Sequence, residues 1–74
     1  MRARAVILRI RALDPSARVV HQDGSHQKWR LHDGRFVIVP ILARDIPIGT
    51  VRGIERQGEP SLGPRWLSGS GRHD

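Results

Sequence analysis

Residues 17–41 read ARVVHQDGSHQKWRLHDGRFVIVPI, and two Asp-Gly pairs, Asp23-Gly24 and Asp33-Gly34, cut this stretch into short runs at roughly 17–22, 25–32 and 35–41. Both pairs signal hairpins, because a type I′ turn needs positive φ at both central residues and Asp-Gly tolerates it. The stretch therefore predicts a three-stranded antiparallel meander. With Asp33-Gly34 as a two-residue turn, His32 faces Arg35, Trp29 faces Ile38 and Lys28 faces Val39. Trp29, Leu31, Phe36 and Ile38 then point to a core, while His26, Lys28, Arg30, His32 and Arg35 point to a basic opposite side. Val37 and Val39 fall on the basic side in this register, where apolar residues suggest a partner surface. The same count through Asp23-Gly24 sets His21 opposite His26, with Cβ atoms about 5 Å apart. A three-residue loop or a bulge would break that pairing.

Helical spacing flanks the meander. Ala3, Val6, Ile7, Ile10 and Leu13 form one apolar face with Arg2, Arg4, Arg9 and Arg11 around it, which predicts a helix over residues 2–13. Pro15 disfavours helical geometry at Asp14 and ends it. A core-facing helix is favoured over a membrane-surface one. Ile48, Val51 and Ile54 restore the spacing over residues 47–57, with Pro47 in the first turn and Gly58 as the expected cap. Gly53 inside that helix costs about 1 kcal/mol relative to Ala. Beyond it the composition shifts to glycine, proline and serine, so a folded domain over 1–58 and a flexible tail over 59–74 are expected. Trp66-Leu67 is an apolar island in that tail, read either as docking back on the core or as incidental.

The chain has 74 residues, enough for one small domain whose folding buries only about 60% of the unfolded surface. It has no cysteine, so there is neither a disulfide framework nor a thiolate metal site. The histidines at 21, 26, 32 and 73 lack the spacing of a zinc site, and no metal is expected. Twelve arginines and one lysine against seven acids give a net charge of +6. Such a chain seeks polyanions, nucleic acid first and an acidic protein second. No run approaches the roughly 20 apolar residues of a membrane span, and Arg9 and Arg11 break the N-terminal run. A cytoplasmic protein without a membrane partner is expected.

The αβββα order with a basic sheet face suggests an α+β fold of the double-stranded-RNA-binding type, with two helices on one face of the sheet. Further residues narrow the reading: Gly24-Ser25-His26, Lys28-Trp29-Arg30, Asp33-Gly34-Arg35, Val39-Pro40, then Ile46-Pro47-Ile48-Gly49-Thr50-Val51-Arg52 with Ile54 and Arg56-Gln57. In this order and spacing the series, over about residues 3–58, closely resembles the HicA (YcfA-like) toxin family. The resemblance implies an mRNA interferase of a toxin–antitoxin module, with mRNA as substrate, a HicB-like antitoxin as partner and no cofactor. It nominates His26 as the catalytic residue and Gly24 and Ser25 as the turn that presents it.

The chemistry is consistent with that nomination. RNA carries its own nucleophile, the 2′-OH, so cleavage needs a group that moves protons and cations that neutralise phosphate. An imidazole does the first near neutral pH. Lys28 and Arg30 lie two and four residues beyond His26 on the same face, with Arg35 and Arg52 as further RNA-binding candidates and His21 as a candidate auxiliary. His32 and His73 carry no such case, and Trp29 is read as packing rather than stacking on a base. A non-catalytic RNA-binding module of the same fold, or a partner-binding protein facing an acidic regulator, are the competing readings.

Overall fold

The computed structural model describes residues 1–69; His73 and the rest of the expected tail beyond Gly69 lie outside the described residues. The elements are α1 (Ala3–Leu13), β1 (Arg18–Gln22), β2 (His26–Arg30), β3 (Phe36–Pro40) and α2 (Ile48–Leu62). The strands form one antiparallel sheet in the order β1-β2-β3. This is the expected α+β, αβββα architecture. In α1, Ala3, Val6 and Ile10 are buried at the 3–4 residue spacing of one helical face, and the helix stops at Asp14, whose N–H bonds the Ile10 carbonyl.

The second hairpin departs from the two-residue turn. Leu31 N–H bonds the Arg35 carbonyl at 2.8 Å, Gly34 N–H bonds the Leu31 carbonyl at 2.9 Å, and Gly34 sits at φ +90°. His32, Asp33 and Gly34 therefore form a three-residue loop whose last position needs the left-handed geometry that glycine supplies. The extra loop residue slips β3 by one, pairing Trp29 with Val37, Lys28 with Ile38 and Gln27 with Val39. A one-residue slip turns every side chain of a strand over. Val37 and Val39 are consequently fully buried, while Phe36 is 44% exposed, the reverse of the expected placement. Trp29 and Leu31 do enter the core, where they meet Val6, Ile10, Val51 and Ile54.

The first hairpin is also displaced. Gln22 pairs with Gln27, and Asp23 N–H bonds the His26 carbonyl at 3.1 Å, so the chain reverses at Gly24-Ser25. His21 lies opposite Lys28, not His26, because the reversal falls at Gly24-Ser25 and not at Asp23-Gly24. Beyond His21 a bulge inserts Val20, which brings Val19 opposite Trp29 and Arg18 opposite Arg30. On the core side, Gln27 Nε2 donates to Gln22 Oε1 at 2.9 Å and Gln27 Oε1 accepts from the Trp29 indole at 3.1 Å.

The second helix does not stop at Gly58. It continues through Pro60 to Leu62 and ends at Gly63, at φ +100°, whose N–H bonds the Glu59 carbonyl. Pro60 is tolerated in the final turns, where it forfeits a single bond to the residue four back. Gly58 serves packing instead: a Cβ there would lie 2.9 Å from the Trp66 indole nitrogen. Trp66 and Leu67 are 3% and 4% exposed, so the apolar island docks on the core. The Trp66 indole donates to the Glu55 carbonyl at 2.7 Å, and the Glu55 carboxylate accepts the N–H groups of Leu67 and Ser68 and the Ser68 hydroxyl.

Two buried carboxylates act as internal ties. Asp14 accepts the Ser16 N–H and hydroxyl on one oxygen and the His32 N–H, at 2.7 Å, on the other, which joins the end of α1 to the β2–β3 loop. Burial pushes the Asp14 pKa up, but the Ser16 hydroxyl and the His32 and Ser16 N–H groups outweigh it and the net shift is downward. Glu55 follows the same pattern, with burial opposed by the Ser68 N–H and hydroxyl and the Leu67 N–H. Carboxylates with lowered folded-state pKa values stabilise the fold above their unfolded values, and that contribution disappears as pH falls through the folded ones.

Two outcomes follow from this packing. Val39→Asp places an unpaired charge at a fully buried site, a cost of several kcal/mol that a small domain cannot absorb, and should abolish cooperative melting. Phe36→Asp, on the open face, should melt close to the parent. In thermal melts across pH, the parent should lose stability on acidification below about pH 4. A doubly substituted Asp14→Asn, Glu55→Gln protein should start lower at neutral pH and lose less over the same range.

Candidate functional site

The turn before β2 presents His26. Asp23 Oδ1 accepts the N–H groups of Ser25 and His26, each at 2.8 Å, closing a tight side-chain-to-backbone turn. These two N–H bonds, Ser25 first, hold the Asp23 carboxyl below its usual range, with further help from the Ser25 hydroxyl and the His26 ring. Ser25 Oγ lies 2.9 Å from His26 Nδ1 and 3.3 Å from Asp23 Oδ1, and Asp23 Oδ1 is 3.9 Å from Nδ1. When the Ser25 hydroxyl donates to Asp23, its oxygen accepts from Nδ1–H, which leaves Nε2 unprotonated and able to take a proton.

The His26 side chain is about half exposed and stands over a cleft of about 260 Å³ between β3 and α2. Ile38 and Pro40 line it from β3, and Thr50, Gly53, Ile54 and Gln57 from α2. A Cβ at Gly53 would meet nothing within 4 Å, so the missing side chain leaves the cleft open rather than permitting close packing. Gln57 Oε1 accepts the Ile38 N–H at 2.9 Å and so ties α2 to the outer edge of the sheet.

Alternation along β2 sets His26, Lys28 and Arg30 on the face away from the core, with Pro40, Ile38 and Phe36 opposite them on β3 and His21 opposite Lys28 on β1. Lys28 Nζ lies 4.2 Å from the centre of the Phe36 ring. The apolar residues of this face are thus Phe36, Ile38 and Pro40, in place of Val37 and Val39. His21 sits diagonally from His26, at about 7–8 Å. Arg35 lies at the opposite end of the hairpin, with its guanidinium 3.3 Å from Asp33. Arg52 is exposed on α2, about 200° around the helix from Thr50, and does not line the cleft. The structure brings together His26, Ser25, Lys28 and His21, but not Arg35 or Arg52.

His32 has a structural partner: its Nε2 donates to the Ser61 carbonyl at 3.1 Å, while the Ser61 hydroxyl donates to Asp33 at 2.6 Å. Asp23 was missed in the sequence because Asp-Gly reads first as a turn signal; an Asp two and three residues before exposed N–H groups is the signature that identifies it. Thr50 and Gln57 could not be found from local spacing, since only the packing of α2 on β3 brings them to His26. Among the described residues no group of three or more His, Cys, Asp or Glu side chains is placed to hold a metal ion, and no helix is long and apolar enough to cross a membrane.

No curated protein and no solved structure matches the chain. The model of the family described as HicA toxin of bacterial toxin-antitoxin matches residues 17–59. That segment runs from the residue before β1 through the His26 turn, the whole sheet and most of α2. It contains every residue that lines the His26 cleft. Because the match spans more than half of the chain and takes in the complete site, the chain belongs to the HicA toxin family of bacterial toxin–antitoxin systems.

Proposed function

We propose that this chain is an mRNA interferase, an endoribonuclease that cleaves RNA through its own 2′-OH with His26 as the proton-transferring residue. The observation that carries the reading is the placement of His26: exposed at the mouth of a cleft, Nδ1 held by Ser25, on the same face as Lys28, in a chain of the HicA toxin family. His26 Nε2 removes the 2′-OH proton as the oxygen attacks phosphorus; the P–O5′ bond breaks, leaving a 2′,3′-cyclic phosphate, and the departing 5′-oxygen takes a proton from water to become a hydroxyl, while Lys28 leaves the Phe36 ring to neutralise the phosphate. No organic cofactor enters this scheme. His21 is an auxiliary through its position beside Lys28, while Arg35 and Arg52 serve RNA binding only by longer-range attraction. The toxin acts on mRNA in the cytoplasm, and a HicB-like antitoxin neutralises it by covering the face that exposes Phe36 and Ile38 beside His26.

Induction of the parent chain should stop growth and deplete intact mRNA. His26→Ala, folded and equally expressed, should be harmless and cleave purified RNA about 10²- to 10⁴-fold more slowly. Retained cleavage by this variant would remove His26 from the chemistry, and intact RNA bound by the parent itself would make the chain a binding module.

Binding of single-stranded RNA by His26→Ala should weaken steeply with salt. Lys28→Ala should lower the slope of log affinity against log salt by about 0.7, the value for one phosphate contact. An unchanged slope would place the phosphate path away from β2.

A further inference from the structure

We propose that the open face carries a second phosphate-binding subsite, built from Arg18 and Arg30, which holds an RNA backbone phosphate other than the one being cleaved. The inference rests on the RNA-cleaving reading above. Arg18 on β1 and Arg30 on β2 are directly paired across the ladder. Cβ atoms so placed are about 4.5–5.5 Å apart, and like charges there repel and destabilise the strand pair. Among the described residues neither guanidinium has an ion-pair, hydrogen-bond or ring partner, whereas Arg35 meets Asp33, Lys28 lies on Phe36 and Arg9 donates to the Trp66 carbonyl. Among the described residues nothing compensates the repulsion.

The two arginines flank a cleft of about 290 Å³ that is also lined by Ser16, Leu31 and His32. The carboxylate beside it, Asp14, is only 4% exposed, is not part of the lining and is occupied by Ser16 and His32 N–H groups and the Ser16 hydroxyl. Asp33, next in sequence to His32, is engaged by Arg35 and Ser61. The Ser16 hydroxyl proton is committed to Asp14 and His32 Nε2 to Ser61. The donors free to meet a ligand are therefore the two guanidinium forks, each with five N–H groups.

Two opposed forks suit a phosphodiester, whose two non-bridging oxygens can each take one guanidinium. A protein carboxylate is the competing ligand. The position favours RNA: Arg30 is four residues along β2 from His26 on the same face, about 13 Å away, with Lys28 between them. A single strand whose scissile phosphate lies at His26 and which follows β2 passes Lys28 and then reaches the cleft. The subsite sets the direction of the strand across the face and is remote from the bond being broken.

The test uses the full chain carrying His26→Ala, with short single-stranded oligouridylate as the probe and salt as the variable. Arg18→Ala and Arg30→Ala should each weaken binding about five- to tenfold and lower the salt slope by about 0.7. The two together should lower the slope once rather than twice, since they hold one phosphate, whereas Lys28→Ala should add its own decrement. Arg56→Ala, on exposed α2 surface, should change neither quantity. Arg18→Ala should melt no lower than its parent, because it relieves a like-charge pair. Unchanged affinity and slope in Arg18→Ala, with Lys28→Ala still impaired, would overturn the subsite and leave the RNA-cleaving reading standing. Loss of binding to the antitoxin, with the RNA slope untouched, would assign the cleft to an acidic protein and equally overturn it. No RNA binding by the parent would sink both.

Discussion

Gly34 holds a left-handed backbone at φ +90°, and much of the molecule follows from the three-residue loop it closes. The loop sets the register of β3, and the register decides which of two alternating sets of apolar residues is buried. With Val37 and Val39 inward, β3 presents two compact β-branched side chains to the helices, and Trp29 packs beside them. Phe36 is then available on the outer face to hold the Lys28 ammonium, and Ile38 and Pro40 are available to wall the His26 cleft. One backbone conformation thus connects the composition of the core with the composition of the site.

A domain this small has little apolar area to bury, and it compensates with charge placed inside. Asp14 and Glu55 are each buried, and each gathers backbone N–H groups from a segment distant in sequence: the β2–β3 loop for Asp14 and residues 67–68 for Glu55. A carboxylate that accepts several N–H bonds holds two pieces of chain in one relative geometry, which apolar contact alone does loosely. Trp66 completes the arrangement by filling the space that Gly58 leaves, so the segment after α2 braces the helix that supplies Thr50, Gly53 and Gln57 to the cleft.

Element type and order were legible in the sequence because apolar spacing changes from helical to alternating and back, and because each Asp-Gly pair marks a reversal. What spacing could not reveal was loop length. Asp33-Gly34 is compatible with two residues or three, and the choice inverts β3; likewise the bulge at Val20 leaves no mark in a run as short as Arg18–Gln22. Gly58 looked like a helix end because glycine commonly caps helices, yet here the absent side chain admits the Trp66 ring, a contact between residues eight apart that no local rule contains. The site divides the same way. His26 stood out by its Gly-Ser-His setting, and alternation along β2 set Lys28 and Arg30 on its face of the sheet. Arg52 and Arg35 could not be sorted from them, since that depends on the rotation of α2 and on the Asp33 ion pair.

The bond from Ile38 N–H to Gln57 bears on solubility as well as on the site. A three-stranded sheet has two edges, and an edge strand with free N–H and C=O groups is a template on which other chains can add. The Gln57 side chain occupies the β3 edge at its middle residue, so growth of the sheet in that direction is blocked. Among the described residues no strand covers the β1 edge, but its bulge interrupts the regular hydrogen-bond spacing, and Arg18 and His21 place polar groups along it. Two different devices, a capping amide on one side and an irregular, basic strand on the other, keep a chain with a small core and an exposed sheet from polymerising edge to edge.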